Sequence, residues 1–332
     1  MMNKDREMDK VIFDSRWFGQ HGIGRFAQEI FKANDNFVRI NLKGNPAGKF
    51  DCFKLTLYLL FNKEAYFTPG YNSPLFFLSR TYITVHDLNH IDIAGNSSQL
   101  KRLYYNFILK RACRKAKSVI TVSEFTKKRI VEWSGRNAND VIVVNNGVSE
   151  AFNINATPYK NERPYIFMVG NRKPHKNEIN GIDAFLRADI DKKVQLILTG
   201  ESTQAISDLL IKNNALERVK FVGKVSEETL ASLYKGAIFL FFPSLYEGFG
   251  LPIIESMACG TPVLTSNITS LPEVAGEAAC YIDPTSLDSM KSGIEALVDN
   301  KQLQDELKKK GLLQIRKYTW DGAVNRINNI FR

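Results

Sequence analysis

Two glutamates lie eight positions apart in the stretch from Pro243 to Gly260, which reads PSLYEGFGLPIIESMACG. The apolar run Ala237–Phe242 before this stretch predicts a strand that is buried on both faces. Pro252 suits the first turn of a helix, so the stretch predicts a loop followed by a helix. Glu247 then lies in the loop, and Glu255 lies about one turn into the helix and faces back toward the loop.

Backbone amides at the start of this predicted helix complement the two carboxylates. The amides of Phe249, Gly250 and Leu251 would point out of the helix N-terminus, where anionic or hydroxyl-rich ligands are held. Carboxylates accept hydrogen bonds from hydroxyl groups, whereas amides donate them. The stretch therefore predicts a site for a polyhydroxylated ligand.

A second group of polar residues follows another predicted buried strand, Tyr165–Val169. The loop Gly170–Asn177 reads GNRKPHKN and leads into a helix that begins at about Asn177. Arg172 and Lys176 flank this loop. Two cations beside a helix N-terminus predict a site for a diphosphate.

Length and composition predict a globular protein of two domains. The chain has 332 residues, of which 44% are hydrophobic and 24% charged. Residues 1–10 are polar and lack the apolar segment of a signal peptide, and the longest apolar runs are too short to span a membrane. The four cysteines are scattered without a C-x-x-C pair, which predicts reduced thiols in the cytosol.

Positive charge is concentrated in the first half of the chain. The net charge is +10, and residues 1–150 hold 23 Lys and Arg against 14 Asp and Glu. Within Lys101–Arg136 there are 11 basic residues, opposed only by Glu124 and Glu132. Such a face predicts an anionic partner, either a nucleic acid or a phospholipid surface, unless it is simply a solvated surface.

Predicted strands and helices alternate along both halves of the chain, which indicates two doubly wound parallel sheets in an α/β fold. Residues 149–163 are polar and aperiodic. The predicted division is a domain of residues 1–150, a linker of residues 151–163, a domain of residues 164–318 and a C-terminal helix of residues 319–332. The predicted strands are Val11–Asp14, Ala65–Thr68, Tyr82–Val85, Ser118–Val122, Val141–Val144, Tyr165–Val169, Val194–Gly200, Val219–Gly223, Ala237–Phe242, Pro262–Thr265 and Ala278–Ile282.

Two loops of the first half leave alternatives open. The segment Phe18–Arg25, FGQHGIGR, follows the first predicted strand. A glycine-rich loop between a strand and a helix can bring backbone amides close to a phosphate. Its glycines do not spell the dinucleotide fingerprint G-x-G-x-x-G. Further on, Leu75–Leu78 is an apolar cluster that belongs either to the core or to a lipid-facing rim.

Several strings together resemble one enzyme family. The string EGFGLPIIE, followed by SMACGTPV, resembles the E-x7-E motif of retaining, nucleotide-sugar-dependent glycosyltransferases of family 4. TVHDL (Thr84–Leu88), GIGR and the loop Gly170–Asn177 also resemble that family. The resemblance implies the GT-B fold, in which two Rossmann-like domains face a central cleft, and implies that Thr319–Arg326 belongs to a helix that returns to the first domain.

The resemblance also implies roles for individual residues. His86 would lie beside the transferred sugar, and Glu247 would contact the sugar hydroxyls. Arg172 and Lys176 would hold the diphosphate, although His175 stands where the family usually has arginine. Glu255 would contact the ribose, and the loop containing Val225 would contact the nucleobase. The residues with implied contacts to the donor are Gly22, Gly24, Gly170, Asn177, Val225, Phe249, Gly250, Leu251 and Glu255.

We expect the enzyme to need neither a cofactor nor a metal ion. Metal-dependent transferases use a D-x-D motif, and Asp189-Ile-Asp191 has that spelling but precedes two lysines in a predicted surface turn. The resemblance is to bacterial mannosyl- and rhamnosyltransferases of surface polysaccharide synthesis. It implies a glycan or lipid-linked glycan acceptor. We expect no nucleic-acid partner and a cytoplasmic location, and the charge of Lys101–Arg136 predicts peripheral contact with an anionic membrane.

Three other functions fit parts of the sequence. An NAD-dependent oxidoreductase would share the fold but lacks the glycine fingerprint. A non-catalytic module that binds nucleotides or nucleic acid would use the basic face but has no use for Glu247 and Glu255. A sugar-nucleotide 2-epimerase would share the fold without this set of motifs.

Overall fold

The chain divides into two compact units, each built on one parallel sheet. The computed structural model describes residues 10–93 and 98–331. The first unit takes the chain up to Gly147 together with the segment from Trp320 onward, and the second takes Val148–Thr319. Residues 151–163, predicted as a linker, therefore belong to the second unit. The reason is packing, because Phe152 is buried and the amide of Tyr159 donates to the carbonyl of Ser232 at 2.8 Å.

The first unit has a six-stranded sheet in the order β2-β1-β3-β4-β5-β6, in which all neighbours are parallel. A continuous helical segment, Gln99–Lys115, contains a π-helical stretch at Tyr104–Leu109. The elements up to the unit boundary are β1 (Val11–Phe13), α1 (Gly22–Lys32), β2 (Phe37–Arg39), α2 (Asp51–Phe61), β3 (Ala65–Thr68), β4 (Thr81–Thr84), α3 (Asn89–Asp92), α4 (Gln99–Leu103), α5 (Lys110–Lys115), β5 (Ser118–Thr121), α6 (Glu124–Ser134) and β6 (Val141–Val143).

The second unit has a six-stranded sheet in the order β12-β11-β10-β7-β8-β9, again with parallel neighbours. The elements are β7 (Tyr165–Met168), α7 (Glu178–Arg187), β8 (Gln195–Leu198), α8 (Gln204–Lys212), β9 (Val219–Phe221), α9 (Glu227–Gly236), β10 (Leu240–Phe242), α10 (Leu251–Ala258), β11 (Val263–Ser266), α11 (Leu271–Ala275), β12 (Cys280–Ile282), α12 (Leu287–Val298) and α13 (Lys301–Gln314), followed in the first unit by α14 (Trp320–Ile330).

Both cores follow from strands that are apolar on both faces. Residues of β7, β8 and β10 are almost completely buried, since helices cover both faces of a parallel sheet. In the first unit the last helix, α14, packs on α1, and Phe331 after it lies 4.4 Å, centroid to centroid, from the ring of Tyr82.

Strand β2 and helix α2 are among the elements of the first unit that were absent from the prediction. Strand β2 has only three residues, two of them exposed, so it lacks an apolar run. Helix α2 has apolar residues all round, so it lacks the one-sided spacing that identifies an amphipathic helix. None of the helices formed by residues 10–93 and 98–331 has the length and apolar content needed to cross a bilayer.

Candidate active site

The loop between β10 and α10 has the conformation that its glycines and proline predict. Gly250 is the N-cap of α10 at a φ of 104°, a left-handed conformation that favours glycine. A Cβ atom there would lie 2.7 Å from the Cδ2 of Leu271, so the position also lacks room for a side chain. Pro252 lies in the first turn, and Gly260, at a φ of 72°, follows the helix. The predicted loop and helix are therefore confirmed.

Ser270 holds this loop in place. Its hydroxyl is buried and lies 2.9 Å from the carbonyl oxygen of Glu247 and 3.0 Å from that of Phe249. Phe249 is itself buried, with its ring edge-on to Tyr318 at 5.4 Å. Sequence reasoning missed Ser270, because a serine before a short helix is a common cap and gives no sign of a long-range contact.

Glu247 forms an ion pair with Lys176. The Nζ of Lys176 lies 2.6 Å from Oε1 of Glu247, and the side chains are only 15% and 13% exposed. Lys176 ends a short 3₁₀ turn, Pro174–Lys176, that follows β7, whereas Glu247 follows β10. The amide of Leu245 also donates to the carbonyl of His175 at 2.7 Å, which joins the two loops directly.

The order of strands explains why these two loops meet. The chain order runs from β7 through β8 to β9 on one side of the sheet and from β10 through β11 to β12 on the other. Strands β7 and β10 are therefore neighbours at the point where the strand order reverses. In open α/β sheets, ligands bind in the crevice beyond the carboxyl ends of the strands at such a point.

Arg172 has a different carboxylate partner from Lys176. Its Nη1 pairs with Glu178, its Nη2 donates to the carbonyl of Thr199 at 2.6 Å, and its Nε donates to the carbonyl of Glu201 at 2.6 Å. Glu178 is buried, which raises the pKa of its carboxyl, while the charge of Arg172 opposes that rise. The two predicted cations thus lie in separate ion pairs, and Glu178 is a site residue that the sequence reasoning missed.

Gly170 makes room for Glu178. A Cβ atom at Gly170 would lie 1.5 Å from Oε1 of Glu178, so any other residue would displace that carboxylate. Asn177, which was predicted to contact the nucleotide-sugar donor, has a left-handed φ of 57° just before α7. Its buried amide donates to the carbonyl of Pro284 at 2.7 Å, which anchors the start of the helix.

Glu255 is buried in α10, and its Oε2 accepts a hydrogen bond from the hydroxyl of Tyr234 at 2.9 Å. The loop that contains Val225 follows β9, at the same edge of the sheet as the loops after β7 and β10. In this loop, the carbonyl of Gly223 accepts a hydrogen bond from the amide of Gly200 at 2.7 Å, which joins the loops after β8 and β9. His175 is buried rather than directed to the surface.

In the first unit, His86 follows β4 and is held by backbone. Its Nε2 lies 2.8 Å from the carbonyl oxygen of Pro69, and its ring is edge-on to Phe26 at 5.1 Å. Burial lowers the pKa of His86 to about 4, with a smaller contribution from the charge of His21. His86 is therefore neutral at physiological pH.

The glycines predicted beside the donor lie at the start of α1. Gly22 is its first residue, and the preceding His21 caps the helix by accepting a hydrogen bond from the amide of Gly24 at 3.1 Å. A Cβ atom at Gly24 would lie 2.3 Å from the carbonyl oxygen of Gly19, so the glycine is required by close backbone contact. His21 was not assigned from the sequence.

The D-x-D spelling lies on the surface. Asp189 and Asp191 are exposed. The backbone amide of Asp189 donates to Oε1 of Glu295 at 2.6 Å, and Oδ1 of Asp191 accepts from the amide of Lys193 at 2.8 Å. Within residues 10–93 and 98–331, no three His, Cys, Asp or Glu side chains cluster closely enough to hold a metal ion. Independence of a metal remains a prediction.

Two family models match most of the chain. The model for glycosyl transferases group 1 matches residues 149–314, and the model for glycosyltransferase family 4 matches residues 70–152. The chain is 30% identical over 276 residues to O-antigen chain mannosyltransferase RfbU of Salmonella typhimurium, across 81% of this chain and 73% of RfbU. It is 26% identical over 281 residues to O-antigen chain mannosyltransferase B of Escherichia coli, across 79% of this chain and 74% of the relative.

Solved structures share the fold across nearly the whole chain. Sucrose-phosphate synthase from Thermosynechococcus elongatus matches with a TM-score of 0.79 at 17% identity, covering 98% of both chains. Anabaena HepE, solved in complex with UDP-glucose, matches with a TM-score of 0.75 at 16% identity, covering 96% of this chain and 98% of HepE.

The two parallel sheets and these matches define a glycosyltransferase with the GT-B fold. More particularly, the chain belongs to the family of glycosyl transferases group 1.

Proposed function

We propose that this glycosyltransferase transfers a hexose, with mannose favoured over rhamnose, from a nucleotide-diphosphate donor to a glycan or lipid-linked glycan in bacterial surface polysaccharide synthesis. The names of the two mannosyltransferase relatives support the sugar and the pathway. The UDP-glucose bound to HepE supports a nucleotide-sugar donor as a class. The family match favours glycosyl transfer over the oxidoreductase, the non-catalytic binding module and the epimerase.

The observation that carries this proposal is the Lys176–Glu247 pair at the reversal of strand order. When the donor binds, Lys176 and the amides of Phe249, Gly250 and Leu251 would face the diphosphate, and Glu247 would accept from the sugar hydroxyls. Glu255, held by Tyr234, would accept from the ribose hydroxyls. Arg172 would contribute its positive charge from the adjoining pair with Glu178.

The proposed reaction proceeds with retention and without a metal ion. The bond between the anomeric carbon and the β-phosphate oxygen breaks, and an acceptor hydroxyl forms its bond on the same face of the sugar. The proton of that hydroxyl goes to a departing phosphate oxygen, so nothing is oxidised or reduced. Neutral His86 would orient the sugar or the acceptor through hydrogen bonds rather than through charge.

A ligand panel tests the donor site. Thermal unfolding is measured with nucleoside diphosphates, with their mannose, rhamnose and glucose conjugates and with NAD, in the presence of EDTA, for the wild type and Glu255→Ala. A ligand at about 100 times its dissociation constant adds about 2.7 kcal/mol to the free energy of unfolding. One nucleotide should stabilise the wild type and lose most of its effect in the variant. Stabilisation by NAD alone, or by no nucleotide, would contradict the proposal.

A transfer assay tests the chemistry. The stabilising donor is incubated with a lipid-linked glycan or a soluble glycan acceptor in EDTA, and NMR of the product reports the anomeric configuration. Retention without added metal supports the proposal. An inverted product, or activity that returns only with a divalent cation, would contradict it.

A further inference from the structure

The first unit carries a large exposed apolar surface. Of the sixteen large apolar side chains that are exposed among the described residues, nine lie between Phe50 and Phe107. Monomeric soluble proteins rarely expose contiguous apolar patches of this kind unless the patch is a binding surface.

Helix α2 contributes four side chains to this surface. Phe53, Leu57, Leu60 and Phe61 recur at helical spacing and are 58%, 61%, 46% and 77% exposed. The opposite side of the helix packs into the core through Leu55 and other residues. A helix that is apolar all round is normally buried on all sides, so the outer side of α2 requires a partner.

A second apolar stripe runs along the helical segment Gln99–Lys115. Leu100, Leu103 and Phe107 recur at helical spacing and are 59%, 52% and 70% exposed. The residues Leu75–Phe76 connect the two helices. The amide of Leu75 donates to Oγ1 of Thr56 on α2 at 2.7 Å, and Nη1 of Arg111 on α5 donates to the carbonyl of Leu75 at 2.6 Å.

Phe76, the residue after Leu75, is 62% exposed. The apolar–basic face is the surface formed by Phe53, Leu57, Leu60, Phe61, Phe76, Leu100, Leu103 and Phe107. Within the cluster Leu75–Leu78, Leu78 is buried, as expected of a core residue, whereas Phe76 is exposed, and a lipid-facing role for Phe76 stays a prediction.

The helices that form the apolar–basic face also carry basic residues. The sequence from Gln99 to Lys117 contains seven Lys and Arg and no acidic residue, and α2 carries exposed Lys54 while its one carboxylate, Asp51, is buried in an ion pair with Arg16. Two arginines in the remainder of the predicted basic segment form ion pairs with acidic residues. Arg129 pairs with Asp92 and Glu132, and Arg136 pairs with Asp140.

We propose that the apolar–basic face inserts its aromatic and leucine side chains into an anionic lipid bilayer, with the cations around them at the level of the headgroups. Apolar side chains flanked by Lys and Arg are the composition of helices that lie in a membrane interface. A second copy of this chain fits less well, because pairing the same face would bring like charges together.

Insertion has a consequence that rests on the proposed function. The segment Pro69–Phe76 begins at the residue whose carbonyl contacts His86, Pro69, and ends on the apolar–basic face at Phe76. The hydroxyl of Tyr104 holds the middle of this segment through hydrogen bonds with the backbone of Tyr71 and Ser73. A protein attached through this face holds the loop beside His86 near the lipid–water boundary. That position suits an acceptor whose sugar is linked to a membrane lipid.

Vesicle co-sedimentation tests the insertion directly. The full chain is mixed with vesicles of phosphatidylcholine alone or of phosphatidylcholine with phosphatidylglycerol, at low and at raised salt. Two variants are compared, one with Leu57→Ser and Phe107→Ser and a control with Ile211→Ser and Leu216→Ser. The control residues are 58% and 61% exposed on the second unit, so they match the removed apolar surface.

We expect binding to vesicles that contain phosphatidylglycerol, partial release by salt, and at least about a tenfold loss of affinity in the Leu57→Ser, Phe107→Ser variant alone. Three results would overturn the proposal: no binding by the wild type, equal binding by both variants, or concentration-dependent dimerisation that the first variant abolishes. Stabilisation by the donor nucleotide is measured in parallel and should be equal in all three proteins. Its loss in all of them would count against the donor site and leave the membrane result standing.

A second measurement places the side chain in the lipid. Phe107→Trp adds an indole at the face, and its emission should shift to the blue when anionic vesicles are added. An unshifted spectrum with bound protein would show purely electrostatic attachment and would overturn insertion.

Discussion

The amino group of Lys176 lies 2.6 Å from the carboxylate of Glu247, although 71 positions separate the two residues in the chain. The pair joins the loops after β7 and β10, the two neighbouring strands at which the strand order of the second sheet reverses. Since both side chains are mostly buried, a ligand that enters here meets a charged pair in a region of low dielectric.

Removal of the lysine should impair both donor binding and transfer. For Lys176→Ala we expect kcat/KM to fall by about 10²–10³, because a positive charge at a departing phosphate has an effect of that size in other enzymes. Lys173→Ala is the matched control, since Lys173 is an exposed lysine of the same loop. Steady-state kinetics of sugar transfer provide the measurement, and equal rates for the two variants would exclude the role of Lys176.

Neutralising Glu247 should affect recognition of the sugar more than binding of the nucleoside diphosphate. Glu247→Gln keeps the shape of the side chain but removes the charge that would face the sugar. We expect kcat to fall by about tenfold or more while the affinity for the nucleoside diphosphate changes little. Calorimetric titration measures the affinity of the variant for the nucleoside diphosphate, which has no sugar, and for the nucleotide sugar, and compares the two losses of affinity. An equally large loss for both ligands would show that Glu247 acts only by holding Lys176.

Gly170→Ala should destabilise the second unit. The added Cβ would displace Glu178 from Arg172 and leave a buried charge without its partner, at a cost of about 3 kcal/mol in the free energy of unfolding. Gly135→Ala is the control, because Gly135 has a positive φ of 74° but open space around its Cα, so only about 1 kcal/mol of backbone strain is expected. Urea unfolding followed by circular dichroism measures the difference, and similar losses for both variants would contradict the steric explanation.

Arg16→Met should destabilise the first unit strongly. Arg16 lies 2.7 Å from Asp14 and 2.6 Å from Asp51, and all three side chains are at most 8% exposed. Without the guanidinium, two buried carboxylates lose their counter-charge, which costs about 3–5 kcal/mol. Lys32→Met removes an exposed pair with Glu29 and should cost less than about 1 kcal/mol. Comparable midpoints of urea unfolding for the two variants would show that the Arg16 cluster contributes little.

Acid should destabilise the protein partly through His86. Burial holds the pKa of His86 near 4 in the folded protein, against 6.5 for an unperturbed histidine. Between these pH values the unfolded chain binds more protons, so this contribution is fully present above pH 6.5 and is lost as the pH falls toward 4. Its size is about 3 kcal/mol. Urea unfolding at several pH values should show a shallower acid loss for His86→Gln, and parallel curves would refute this assignment.

Local patterns predicted the elements around the donor site well. The strand that ends at Phe242, the loop through Glu247 and the helix before Gly260 were all predicted, although the strand begins at Leu240 rather than at Ala237. Glycine, proline and apolar periodicity act over a few residues, so local sequence identifies such elements. Helix α2 was missed because its apolar residues surround the helix, so its spacing marks no single face.

The partners of the charged residues depended on tertiary structure. The sequence by itself determined that Lys176, Glu247, Arg172 and Glu255 follow or lie near buried strands, and hence that they belong at one edge of a sheet. Only the folded chain decided that Lys176 pairs with Glu247 whereas Arg172 pairs with Glu178, because strand order and side-chain direction result from packing between distant segments. For the same reason composition indicated a basic region, and the fold decided which of its apolar side chains are exposed beside the cations.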